Sequence, residues 1–61
     1  MFPTNAQAIT CLIVCQWLSN GYRDIHLFRF NPQSGYVFIL AGDEMQILVY
    51  PSGTWGFINE A

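Results

Sequence analysis

The chain has 61 residues, 52% of them hydrophobic and 10% charged, and its two arginines stand against four acids for a net charge of −2. Binding nucleic-acid phosphates or anionic lipid draws on several Lys or Arg side chains, so Arg23 and Arg29 argue against nucleic acid and membrane as partners. A single domain over residues 1–61 buries only about 60% of the surface its unfolded chain exposes and usually needs a staple; two cysteines supply at most one bridge, which leaves oligomerisation.

The longest apolar stretch, Ala6 to Leu18, is interrupted by Gln7, Thr10 and Gln16. It is shorter than the roughly 20 residues a membrane-spanning helix needs. Met1 to Asn5 lack the basic residues that begin a signal peptide, and Val14 is too large for the position before a lipoprotein cysteine. The expected setting is the cytoplasm.

Thr4 is a good helix N-cap, since its hydroxyl can accept a bond from a free N–H of the first turn. Gln7 three residues on completes a capping box. The helix is predicted from Asn5 to Leu18 or Ser19 and ends at Ser19-Asn20-Gly21, where Asn20 or Gly21 can take the left-handed conformation of a C-terminal cap. At about 100° per residue, Ala8, Cys11, Leu12, Cys15 and Leu18 form one stripe, and Ile9, Ile13 and Trp17 form a second. Gln7 and Thr10 fall on the far side near Val14. A surface helix has one apolar face and one charged face. This one has no charged residue, so it is expected to be covered on more than one side; the pattern leaves open which stripe meets the rest of the domain.

Four strand-like runs follow, each bounded by turn residues: Ile25 to Phe30, Tyr36 to Ala41, Met45 to Tyr50 and Thr54 to Ile58. Loops of hairpin length favour an antiparallel meander in sequence order. The fold class is therefore α+β, one N-terminal helix packed on a four-stranded antiparallel β-meander. A two-residue Gly42-Asp43 loop would pair Leu40 with Met45, Phe38 with Ile47 and Tyr36 with Val49. A three-residue Pro51-Ser52-Gly53 loop would pair Val49 with Trp55 and Ile47 with Phe57. Those residues, joined by Phe28 and Phe30, are expected to floor the core. Leu27, Val37, Ile39, Leu48 and Ile58 would then lie on the opposite face, which is too apolar for a solvated side.

Residues that could carry chemistry do not converge. Cys11 and Cys15 are helical neighbours, yet zinc usually wants four ligands and His26 is the only other obvious one. His26 has no identifiable nucleophile within reach, as general-base work requires. Asp43 and Glu44 are adjacent and point to opposite faces, and Gly35, Gly42 and Gly53 fall in separate turns, so no phosphate loop forms. No catalytic residue, metal site or cofactor is expected, and the protein is not expected to be an enzyme. The ten aromatics lack the basic groove that single-stranded nucleic-acid platforms carry.

In its Pro-Thr-x-x-Gln-Ala helix start, its Leu-Phe-Arg-Phe strand and its Ile-Leu-Ala-Gly-x-Glu turn, the chain resembles a family of short uncharacterised cyanobacterial proteins. The resemblance spans most of the chain and implies a bacterial cytoplasmic setting; it brings no activity and no site residues. The function expected is a protein–protein interaction module, a homodimer or a small subunit of a larger complex, with Ile9, Ile13, Trp17, Leu27, Val37, Ile39, Leu48 and Ile58 at the contact. Two alternatives are a small antitoxin-like regulator or assembly factor that binds one specific protein, and a binder of a small apolar ligand.

Overall fold

A computed structural model of the protein, which describes residues 2–58, begins with helix α1 (Asn5–Asn20). Its capping box is formed: the Gln7 N–H donates to Thr4 Oγ1 at 3.0 Å, and the Thr4 N–H donates to Gln7 Oε1 at 3.3 Å. The helix ends at Asn20, past the expected Leu18 or Ser19, which moves the C-terminal cap along the chain. The Arg23 N–H donates to the Leu18 carbonyl and the Tyr22 N–H to that of Ser19, the two bonds of a Schellman motif. The left-handed residue is therefore Tyr22, with φ 56°, whereas Gly21 sits at φ −87°.

The strands β1 (Ile25–Phe30), β2 (Val37–Ala41), β3 (Met45–Val49) and β4 (Trp55–Phe57) form one antiparallel sheet in the order β1-β2-β3-β4. The helix lies across one face of it, so the fold is the expected α+β meander. Two threonine hydroxyls fasten the helix to the β3–β4 turn. Thr4 Oγ1 donates to the Pro51 carbonyl and Thr10 Oγ1 to that of Gly53, both at 2.6 Å. Gly53 has φ +93°, and a Cβ there would stand 3.1 Å from the Cβ of Ala6. Backbone geometry and close approach both call for glycine at that turn.

The β3–β4 register is the expected one, with Val49 opposite Trp55 and Ile47 opposite Phe57. The β2–β3 register is not. Ala41 pairs with Met45, Ile39 with Ile47 and Val37 with Val49. The loop has three residues, Gly42-Asp43-Glu44, because Glu44 turns with φ 62° and does not open β3. Side chains alternate with period two, so one added loop residue moves every β2 side chain to the other face. Val37 and Ile39, expected on the outer side at a contact, are 3% and 0% exposed and belong to the core beneath the helix. Phe38 and Leu40 take their place outside.

The core joins Cys11, Val14 and Leu18 of α1 to Val37, Ile39, Ala41, Ile47 and Val49 of the sheet, with Phe30 and Met45 packed around them. Gln7, expected on the far side, is also on the helix's buried stripe and is 1% exposed. Its Nε2 donates to the Gly35 carbonyl at 2.8 Å and to the Val49 carbonyl at 2.9 Å. With its Oε1 accepting from Thr4, the whole amide is satisfied, as a buried polar group must be. It ties the start of the helix to the β1–β2 loop and to the end of β3.

Candidate protein interface

Only one stripe of α1 is used by the core. Ile9, Ile13 and Trp17, successive i, i+4 neighbours, are 60%, 58% and 48% exposed, and Leu12 beside them is exposed as well. The outer half of the helix is thus apolar and left open by the rest of the described chain, where the charge-free pattern implied cover on more than one side. At its C-terminal end the stripe runs into an aromatic cluster. The Trp17 ring lies 6.1 Å from Trp55 and 6.1 Å from Phe57, and those two are 5.5 Å apart, in tilted and edge-to-face arrangements. Such pairs contribute about 0.5–1.5 kcal/mol beyond their area burial. Trp17 therefore has two roles: it holds β4 against the helix, and it shows about half of its surface to solvent.

The second apolar surface is the face of the sheet away from the helix. Its side chains form cross-strand rows that follow from the pairing. The middle row reads Arg29, Phe38, Leu48, Gly56 across β1 to β4. A row on one side of it reads Leu27, Leu40, Gln46 and then Ile58, whose N–H donates to the Gln46 carbonyl. On the other side Tyr36 and Tyr50 meet edge to face at 5.1 Å. Among the described residues no element covers these rows, and Leu27, Phe38, Leu40 and Leu48 are half-buried by one another alone. Apolar groups held together on an open face in this way usually mark a contact site.

Six of the eight residues expected at a contact lie on these surfaces: Ile9, Ile13 and Trp17 on the helix, and Leu27, Leu48 and Ile58 on the sheet. Val37 and Ile39 do not. Phe38, Leu40 and the Trp55–Phe57 pair were assigned to the core floor, and they are the interface candidates the sequence reading missed. The signal that could have found Phe38 and Leu40 is a third loop residue at Glu44, and a left-handed glutamate is uncommon.

The groups that could carry chemistry lie apart. Among the described residues no three His, Cys, Asp or Glu side chains gather as a metal-binding group. Burial pushes both thiols above the ordinary cysteine range, and at Cys11 the neighbouring Cys15 adds to the shift; neutral thiols are poor nucleophiles. His26 is exposed in an irregularity of β1, its Nε2 3.2 Å from the Gly42 carbonyl. Arg23 and Asp43 approach to 3.9 Å on an exposed surface, where an ion pair contributes little. A cavity of about 360 Å³ opens at the end of the helix, lined by Trp17, Leu18, Asn20, Gly21, Arg23 and Met45.

Residues 2–56 match the family described as a domain of unknown function (DUF6888), and the chain belongs to that family. No curated protein and no solved structure matches it.

Proposed function

We propose that the protein is a non-catalytic interaction module that works as a homodimer or as a small subunit of a larger complex. One observation carries this reading. A two-layer domain of one helix and one sheet shows apolar surface on both outer sides, the Ile9-Ile13-Trp17 stripe on one and the Phe38-Leu40-Leu48 face on the other. These surfaces point away from each other, so one neighbour covers one of them. Oligomerisation also suits the size, because a core built on eight buried apolar side chains is small for a free-standing domain.

That the two surfaces differ in kind favours a second reading, in which one takes another copy and the other takes one specific protein that the chain restrains or helps to assemble. The cytoplasm of a cyanobacterium is the setting implied by the sequence resemblance, and two free thiols suit a reducing compartment.

Sedimentation of the purified protein tests the proposal. A dimer or larger species is expected, or a stoichiometric protein partner on isolation from the native source. A soluble 7.0 kDa monomer with no such partner would overturn it. Ile13→Glu separates the surfaces: an exposed substitution of this kind changes monomer stability by less than about 0.5 kcal/mol. Loss of association would place the contact on the helix stripe, and unchanged association would place it on the sheet.

A further inference from the structure

Gly56 has no role that its own chain explains. It lies in the middle of β4, its φ is not positive as those of Gly35, Gly42 and Gly53 are, and a Cβ there would meet nothing within 4 Å. A strand-interior glycine is less favourable than alanine and often marks a place where another chain comes close. Gly56 ends the middle row of the open face, directly across the sheet from Arg29 at the other edge.

We infer that the open face is closed by a second copy of the chain, packed sheet on sheet about a twofold axis running parallel to the strands between β2 and β3. The inference rests on the proposal that the protein self-associates, and it names the surface and the geometry. Such an axis keeps each row opposite itself and reverses its order. Arg29, Phe38, Leu48, Gly56 then faces Gly56, Leu48, Phe38, Arg29 of the second copy, so the longest side chain of the row lies over the missing one. The Arg29 stem crosses the Gly56 notch while its guanidinium stays in water at the rim, as long cationic side chains do. Tyr36 faces Tyr50 of the second copy, and Leu27 faces Ile58.

Charge selects this axis over its alternative. Arg29 is the one charged residue of the three rows. A twofold axis across the strands through the same row would set β1 over β1 and place the two Arg29 side chains against each other, a like-charge contact that is destabilising. The axis along the strands sends them to opposite edges. Gln46 falls opposite Leu40, so one row is partly polar, as contact faces usually are. Aligned sheets pack about 10 Å apart, and the glycine lets the backbone of β4 accept the arginine stem at that spacing.

Gly56→Val tests the contact. Valine favours strands and has free space in the single chain, so the denaturant midpoint of the monomer should stay or rise while the dimer dissociation constant rises tenfold or more. An unchanged dissociation constant would overturn the sheet-on-sheet contact and leave self-association standing; a wild-type chain that is monomeric throughout would remove both. Cross-linking with a bismaleimide spanning about 10 Å gives an independent readout in a Cys15→Ser background. A mixture of Arg29→Cys and Gly56→Cys chains should link, and Arg29→Cys alone should not. Linking of Arg29→Cys to itself would place the axis across the strands and overturn the geometry, whatever the Gly56→Val chain does.

Discussion

The two faces of the sheet are both apolar, yet they are built from different side chains. Beneath the helix stand Val37, Ile39, Ala41, Ile47 and Val49, small or β-branched and almost wholly buried. On the open side stand Tyr36, Phe38, Leu40, Leu48 and Tyr50, larger and partly exposed. Short branched side chains present a low, even surface, and a helix can settle on it closely with Cys11, Val14 and Leu18 filling the gaps. Long and aromatic side chains stand higher and shield one another sideways, so the open face keeps part of its apolar area from water without a covering element. Hydrophobicity alone does not separate the two faces. On the central strands β2 and β3 the residues under the helix are mostly β-branched or alanine, while Phe30, Trp55 and Phe57 flank them on that same side from β1 and β4.

The contrast is sharpest when one residue is truncated on each side of the same strand. Ile39→Ala should cost about 3 kcal/mol, the loss typical of a large-to-small change in a closed core. Phe38→Ala, measured by denaturant at a concentration where the chain is monomeric, should cost about 1 kcal/mol. Equal losses would mean that both faces are closed within one chain, and the distinction would fail. A 61-residue domain is stable by only about 3–9 kcal/mol at typical values per residue, so Ile39→Ala should remove about a third or more of it and lower the denaturant midpoint in proportion.

The covered side is also bolted by polar groups, which the open side lacks. Gln7→Leu keeps the volume and removes the donor to the Gly35 and Val49 carbonyls, and should cost about 2 kcal/mol through unsatisfied buried acceptors. A neutral result in thermal melting would show that water reaches those carbonyls and that the bolt is not what closes the helix on the sheet. Thr4→Ala removes the N-cap together with the bond to Pro51, and should cost about 1 kcal/mol. Faster amide hydrogen exchange confined to the first helical turn and the β3–β4 turn is the expected companion of that loss, and exchange unchanged there would separate the cap from the fastening.

Much of this was legible along the chain. Thr4 and Gln7 announce the helix start because both partners of the capping box lie within four residues. The Pro-Ser-Gly turn sets the β3–β4 register, whereas the absence of charge on α1 implied cover on more than one side and did not say which stripe the sheet would leave open. The candidate surface was read less well. Val37 and Ile39 were placed outside and Phe38 and Leu40 inside because Gly42-Asp43 looks like a complete two-residue turn. Gln7 was set beside Thr10 and Val14, away from both apolar stripes, yet that side of the helix meets the sheet and the Gln7 amide satisfies two carbonyls there.

What the sequence determined by itself is local. The helix start, the strand order and the turns after β1 and β3 rest on residues a few positions apart, whose preferences act in any context; the helix C-terminal cap at Tyr22 and the β2–β3 turn at Glu44 do not. What only the tertiary structure decided is which side of β2 meets the helix. Both sides are apolar, so the alternating pattern gives no preference, and one residue of loop length reverses the outcome. The docking of α1 goes with that outcome, since Cys11, Val14 and Leu18 share one buried core with Val37, Ile39 and Ala41. Phe38 and Leu40 were thereby left on the open face.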